Sequence, residues 1–357
     1  MWPDTRLMDI FGIEYPIIQA PMAGASTPAM AAAAANNGCM GSLGCAMMKP
    51  DVYIDTFNKT RSLTNGALNM NFFCHVEPVE KPDRNERAFE LLKPFYEEMG
   101  QDQMPDAVAT HFPFGDEIFE AVLQACPNVM SFHFGLPDQK YVDALKGRGV
   151  KILCSATTAA EAREQEARGV DAVIAQGWEA GGHHGFYLEK QTAAIGTFAL
   201  VPQLVDAVDI PVIAAGGIAD GRGIAAALAL GASGVQIGTA FLTTEETGIP
   251  EVHKNSLLAS DGSNTQLTRI FSGRPARGLH NRYMDKIKPF EDELPDFPLM
   301  NTLTGPLRKF SAENDKPDFV AQWSGQAVSL NRTGTTAELI QRLVEETQSV
   351  IGKLQKA

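Results

Sequence analysis

The chain has 357 residues, with 30 basic and 43 acidic side chains for a net charge of −13, and it is 44% apolar and 20% charged. That length exceeds one domain of ~150 residues, and it fits a single α/β barrel of ~250 residues with an insertion as well as it fits two domains. The composition excludes collagen, a disulfide scaffold, a coiled coil and wholesale disorder. The acidic balance excludes binding of a nucleic-acid backbone as the main function, while leaving room for a local cationic pocket that takes a small anion.

The N-terminal stretch carries Asp4, Arg6, Asp9 and Glu14, which a secretory signal would not tolerate. The longest apolar run, Ala29 to Ala35, is far below the ~20 residues of a membrane span. Eight short apolar runs predict strands at Ile17–Ala20, Met40–Leu43, Ala67–Phe72, Val129–Phe132, Val150–Cys154, Ala172–Ala175, Val212–Ala215 and Gly234–Ile237. Between them, helical patterns run over Thr27–Asn37, Asp51–Arg61, Asp116–Gln124, Asp138–Lys146, Thr158–Arg168, Thr197–Val208 and Asp220–Leu230. Several open on a Thr or Asp suited to an N-cap, and Gly38, Gly147, Gly169 and Gly231 stand where C-cap glycines belong. Strands that are apolar throughout, rather than alternating, suit a parallel sheet covered on both faces. The predicted fold is therefore a (β/α)8 TIM-type barrel with a substrate-binding insertion after the last strand.

Two regions depart from this rhythm. Glu77 to Gln103 is charged and contains proline, and reads as a surface excursion with a helix after the third strand. Residues 243–322 hold Gly248, Pro250, Gly273, Pro275, Pro289, Pro295, Pro298, Gly305 and Pro306 with little strand–helix alternation, and read as an inserted lid. The expected organisation is a barrel over 1–242, completed by a C-terminal helix within 323–357 (Thr336 to Lys356), with 243–322 as the lid or substrate domain. The cysteines Cys39, Cys45, Cys74, Cys126 and Cys154 form no C-x-x-C pair, so no metal site is expected, and their odd number suits reduced thiols in a cytoplasm.

In a barrel the chemistry sits in loops that follow strand C-termini. After the first strand, Ala20, Pro21, Met22 and Ala23 would let a flat ligand approach the backbone; a tight turn at Pro21 is the plainer reading. After the sixth, Gln176 to Gly185 has four glycines in ten residues and two adjacent imidazoles, His183 and His184. Its N–H groups are able to converge on an anion, and an imidazole transfers protons near neutral pH. After the seventh and eighth, Gly216-Gly217 and Gln236-Ile237-Gly238-Thr239 stand where barrels bind phosphate through backbone N–H groups. Asn69 and Asn71 punctuate the third strand, and His133 ends the fourth, facing the mouth as a candidate substrate contact. No G-x-G-x-x-G follows an early strand, and neither a G-x-S-x-G nor a Walker A sequence is present.

Together, Gln19-Ala20-Pro21-Met22, Asn71-Phe72-Phe73, Gln176 to Gly185, Ala215-Gly216-Gly217-Ile218 and Gly234 to Leu242 resemble the FMN-dependent nitronate monooxygenases, formerly called 2-nitropropane dioxygenases. The loop and eighth-strand sequences are shared with flavin enoyl-acyl-carrier-protein reductases and certain NADH:quinone reductases. The resemblance implies an FMN-binding barrel. Ala20 to Ala23, centred on Met22, would lie along the isoalloxazine, and Asn71, Gln176, Gly181 and Gly182 would contact the flavin. Gly216, Gly217, Gln236, Ile237, Gly238 and Thr239 would hold its ribityl and phosphate groups. The family's catalytic histidine falls on His183, and no role carries over to His184. The implied reaction is O2-dependent denitrification of nitronates such as propionate 3-nitronate to a carbonyl product and nitrite. The implied partners are that small molecule and O2, with no nucleic acid, no membrane, and a monomer or homodimer. The alternatives are an FMN-dependent NAD(P)H reductase of quinones or enoyl thioesters, and a non-catalytic ligand-sensing barrel.

Overall fold

The computed structural model describes residues 2–79, 81–101, 103–189 and 193–356. Each of the eight apolar runs forms a strand: β1 Ile17–Gln19, β2 Gly41–Gly44, β3 Leu68–Phe73, β4 Val129–His133, β5 Lys151–Ala156, β6 Ala172–Gln176, β8 Val212–Ala215 and β9 Gly234–Ile237. All pair in parallel, in the order β1-β9-β8-β6-β5-β4-β3-β2, and a parallel bridge between Ile18 and Met40 closes the ring. The chain thus folds as a (β/α)8 barrel. Among the described residues no helix is long and apolar enough to cross a membrane.

Both faces of the strands are buried, which is why their sequences are apolar throughout. Val173 and Ala175 of β6 and Val235 and Ile237 of β9 face the surrounding helices in the largest apolar core. The alternate positions point inward: Ile18, Leu153, Ala172, Ile174 and Ile213 fill the lower barrel. Leu7 and Phe11, on the short helix Arg6–Phe11 that periodicity did not single out, belong to the same inner cluster.

The helices begin within two residues of expectation and for the anticipated reason in three cases. Thr27 and Thr158 each accept a backbone N–H three residues on, and Asp220 accepts those of Arg222 and Gly223. Asp116 and Thr197 instead lie inside their helices, after Gly115 and Gly196. Gly38, Gly169 and Gly231 are left-handed, whereas Gly147 is helical and Gly149 makes the left-handed turn. The last helix, Thr336–Leu354, opens with a full capping box between Thr335 and Glu338.

A second apolar core departs from the surface excursion expected over Glu77–Gln103. The helix Pro82–Glu98 buries Ala88, Leu92, Phe95 and Tyr96 against Ile270, Phe271, Tyr283, Leu303, Leu307 and Phe319. Its charged sequence reflects only its outer side. Two further strands, β10 Thr265–Thr268 and β11 Ala276–Leu279, pair antiparallel, and β11 also pairs with the two-residue strand β7, Gly182–His183. Strand β7 lies in the loop after β6, so a sheet from the 243–322 segment is fastened directly onto the mouth of the barrel.

Packing at Gly41 leaves no room for a side chain: a Cβ there would lie 2.0 Å from the Ala31 carbonyl oxygen. At Gly352, within the last helix, a Cβ would meet nothing within 4 Å. The same substitution should therefore act in opposite directions in urea unfolding. Gly41→Ala is expected to cost about 2–4 kcal/mol or more, and Gly352→Ala to add about 0.5–1 kcal/mol.

Candidate active site

A cavity of about 620 Å³ opens at the C-terminal ends of the strands. Period-two alternation along the strands determines what reaches it. The inward positions at the strand ends are Asn71 and Phe73 on β3, Ser131 and His133 on β4, Ser155 on β5, Gln176 on β6 and Gln236 on β9, and all seven line the cavity. Ala20, Pro21, Met22, Ala23, Gly181, Gly182, His183, Gly216, Gly217, Gly238 and Thr239 line it as well. Ile237 does not. One step along β9 from Gln236, it points outward into the helix-facing core, and its carbonyl accepts the Ala20 N–H.

The loop after β6 is braced on every side. Gln176 donates Nε2–H to the His183 carbonyl at 2.9 Å and accepts the Gly185 N–H at 2.7 Å. His133 donates Nε2–H to the same carbonyl at 3.0 Å, leaving its Nδ1 to accept from the Ser155 hydroxyl at 2.9 Å. The two residues expected to touch ligand therefore each spend one of their two hydrogen bonds on the His183 carbonyl. Glu179 accepts the Thr197 N–H at 2.8 Å, and the Thr197 hydroxyl sits 2.8 Å from that carboxylate and 2.9 Å from the Gly216 carbonyl. These contacts lock the loop after β6 to the loop after β8.

His183, the last residue of β7, and His184, the residue after it, send their side chains to opposite sides. His183 lines the cavity within a box of Phe73, Phe134, Phe297 and Trp323, its ring 5.4 Å from that of Trp323. His184 is buried away from the cavity, with its ring 5.0 Å from Trp178. The His183 Nε2 lies 2.8 Å from the Ser272 hydroxyl, which is itself held between the Arg274 N–H and carbonyl. Burial, reinforced by His133, Arg274 and Arg308, pushes the His183 imidazole down to about 3, so it is neutral at physiological pH.

Donors for an anion gather on the rim after β8 and β9. Gly216 and Gly217 have φ of +109° and +70°, left-handed conformations that favour glycine. Their N–H groups and that of Gly238 make no hydrogen bond within the described residues. The Gln236 Oε1 is buried without a partner, and the Asn71 Nδ2 is held by Ser131, which leaves its Oδ1 as an acceptor. Free amide donors beside unpaired amide side chains fit the phosphate and the polar edge of a flavin mononucleotide. Neither Arg274 nor Arg277 lines the cavity: Arg274 stacks on Phe134 and Phe186, and Arg277 lies over Trp178. The cations that do line it are Arg308 and Lys309, on the helix Leu299–Glu313, where sequence alone gave no signal.

The family model described as nitronate monooxygenase matches residues 4–346. The chain belongs to the nitronate monooxygenase family. Similar proteins include two described as probable nitronate monooxygenases. One, from Staphylococcus saprophyticus, is 37% identical over 352 residues, covering 98% of this chain and 99% of the relative. The other, from Staphylococcus aureus strain Newman, is 36% identical over 353 residues with the same coverage. Among solved structures, nitroalkane oxidase from Streptomyces ansochromogenes is 37% identical with a TM-score of 0.89, covering 98% of this chain and 99% of that one. FabK from Thermotoga maritima is 30% identical with a TM-score of 0.78, covering 98% of each. As a member of the nitronate monooxygenase family, the chain is an oxidoreductase of a flavin-dependent group whose chemistry is oxidation of nitroalkanes or nitronates.

Five buried histidines make this family member acid-sensitive. Burial is the main cause that lowers His75, His133 and His253 to about 4, and His183 and His184 to about 3. Above pH 6.5 folded and unfolded chains both keep these imidazoles neutral, whereas below it only the unfolded chain takes up protons. Stability is therefore fully present above 6.5 and is lost as pH falls toward 4. Urea unfolding between pH 7.5 and 5 should show a loss of several kcal/mol, with a slope of about two or more protons; a slope under one proton contradicts it.

Proposed function

We propose that this protein binds FMN and oxidises small nitronates, such as propionate 3-nitronate, to a carbonyl compound and nitrite with O2. The observation that carries this reading is His183: neutral, hydrogen-bonded at Nε2, and, among the described residues, without a partner at Nδ1 where it lines the cavity. When bound, FMN supplies the electron exchange with nitronate and O2. Gly216, Gly217 and Gly238 hold its phosphate through backbone N–H groups, and Asn71 and Gln236 meet its polar edge. Ala20 to Ala23 and Gly181 to Gly182 offer small or backbone contacts to the ring.

On substrate binding the Ser272 hydroxyl turns its single proton from the Arg274 carbonyl to His183 Nε2, which leaves the imidazole proton on Nδ1. That Nδ1–H donates to a nitronate oxygen and sets the angle of the reacting carbon. A nitronate has already lost its α-proton, so a strong base is unnecessary. An imidazole at about 3 is a poor base for the α-proton of a neutral nitroalkane, since effective general bases lie near the working pH. Phe73, Phe134, Phe297 and Trp323 exclude water around the pair.

A second reading, an FMN-dependent NAD(P)H reductase of quinones or enoyl thioesters, draws on the Glu179-Ala180-Gly181-Gly182-His183 loop, which such enzymes share with this family. Anaerobic mixing with NADH separates the two: rapid bleaching of the flavin favours the reductase. For the nitronate reading, the purified protein is expected to release about one FMN per chain on denaturation. Preformed ethylnitronate should be used at a kcat/KM at least about 100-fold above that for nitroethane. His183→Asn should lower kcat/KM for nitronate by about 10- to 100-fold, and Ser272→Ala by about 5- to 10-fold, both with FMN content retained. Undiminished turnover of both substrates by His183→Asn removes the role.

A further inference from the structure

The aromatic box around His183 is uneven in its chemistry. Phe73, Phe134 and Phe297 offer the imidazole only carbon, whereas Trp323 carries a hydrogen-bond donor on its rim. Of the three tryptophans in the chain, Trp323 alone lines the cavity. A tryptophan in a packed site ordinarily finds a partner for its N–H. The Trp323 Nε1–H makes no hydrogen bond among the described residues, yet it is not shut away in the interior.

The indole has little freedom to seek such a partner within the protein. Trp323 bridges Gly278 of β11, its own N–H donates to the Ala321 carbonyl at 2.9 Å, and its carbonyl accepts the His253 Nε2–H at 3.2 Å. His253 lies on the helix Glu251–Ala259, and Ser256 of that helix accepts the Gln322 Nε2–H at 2.7 Å. Phe271 meets the ring edge-on at 5.7 Å. A Cβ on Gly278 would lie 3.1 Å from Cε3. Cε3 and Nε1 stand on opposite edges of an indole, so the N–H edge faces away from β11.

Register explains why the donor stands beside His183. Ala276 of β11 pairs with His183, and Gly278, two residues on, pairs with Trp323. Positions two apart on a strand share a face, and so do direct partners across an antiparallel pair. Both side chains therefore leave the sheet on one side, with ring centres 5.4 Å apart. Two other donors of the wall, Asn301 and Arg308, belong to the helix Leu299–Glu313. There Arg308, with no carboxylate partner among the described residues, donates to the Asn301 carbonyl and Oδ1. His183 and Trp323 are the pair that one strand aligns.

A nitronate spreads its charge over two oxygens on one nitrogen. A single donor at His183 Nδ1 holds one oxygen and leaves the group free to pivot about that bond, whereas a second donor fixes its plane. Resting on the reaction proposed above, we propose that Trp323 is a second substrate-binding residue, whose Nε1–H donates to the nitronate oxygen that His183 does not hold. The indole reads the two-oxygen head of the substrate and is indifferent to the carbon chain behind it.

The experiment compares wild type, Trp323→Phe, His183→Asn and the double variant as holoenzymes. Trp323→Phe keeps an aromatic ring and removes the donor. Its kcat/KM should fall about 10- to 100-fold, by a factor equal within about 3-fold for ethylnitronate, 1-butylnitronate and propionate 3-nitronate. Added to His183→Asn, it should cost at least about 5-fold more, whereas a tryptophan that only braces the imidazole would then cost nothing. Apart from turnover, nitrite has the same O–N–O head, and its perturbation of the oxidised flavin spectrum should give a Kd at least about 5-fold weaker in Trp323→Phe. A kcat/KM and a nitrite Kd both within about 2-fold of wild type overturn the inference and leave the nitronate reaction intact. A loss that grows with chain length, or no further loss in the double variant, assigns Trp323 to packing and overturns it too. If wild type turns over no nitronate yet nitrite binding depends on Trp323, the reaction fails and the contact to an O–N–O anion stands. Loss of FMN from Trp323→Phe assigns the indole to the cofactor and overturns the inference.

Discussion

The backbone carbonyl of His183 is the point on which the site depends. It accepts from Gln176 and His133 at once, while the same residue pairs with Ala276 across the small antiparallel sheet. Three separated parts of the chain, the strand ends of β4 and β6 and the strand β11, therefore converge on one peptide unit. An imidazole on an unrestrained glycine-rich loop would sample many orientations, and ordering it would fall to the substrate. Here the folded protein has already met that requirement. Trp178, Glu179 and Gly181 support the arrangement from behind, through Arg277, Thr197 and Gly325.

The electrostatics follow from that placement. The inward positions of the upper barrel are amides, hydroxyls and neutral imidazoles, with Gln19 linking the first two strands through its contacts to Ser26 and the Ser42 N–H. Such a lining holds most of its polar groups in hydrogen bonds without burying carboxylates, and leaves the Gln236 Oε1 unpaired. Among the described residues that line the cavity, Arg and Lys side chains come from the far wall, at Arg308 and Lys309, while burial, helped by His133, Arg274 and Arg308, keeps His183 unprotonated. The described lining of the cavity thus holds cations and no carboxylate, although the protein as a whole is strongly acidic.

Much of this was legible in the chain because a parallel barrel imposes a two-faced burial pattern. Continuous apolar runs marked all eight strands, and polar residues interrupting them at Asn71, His133, Gln176 and Gln236 marked the mouth. The adjacent imidazoles were readable as a functional feature, but the alternation that sends His183 to the cavity and His184 away needs the β7 pairing, which lies in a two-residue strand beyond any periodicity signal. Ile237 was grouped with its glycine-rich neighbours, yet it occupies the outward phase of β9. Gln176 and His133 were read as ligand contacts, while most of their hydrogen-bonding capacity is used on backbone. Arg308 gave no signal because its meaning lies in an absent counter-ion, a property of three-dimensional surroundings. The helix Pro82–Glu98 looked like surface because eight of its seventeen residues are charged.

That helix has a consequence for how such enzymes diversify. The second core is composite: one part leaves the barrel after β3 and the rest after β9, and Tyr96 ties them by donating to the Leu303 carbonyl at 2.7 Å. The cavity-facing side of Leu299–Glu313 is shaped by what packs behind it, including Leu92, Phe95 and Tyr96. Exchange of the 243–322 segment between paralogues as a cassette would strip a third of the buried residues from that interior, so recombination that keeps a working pocket must carry two non-contiguous stretches together. Point substitution along the pocket-facing helix, by contrast, leaves that shared interior untouched, and is the open route to new selectivity.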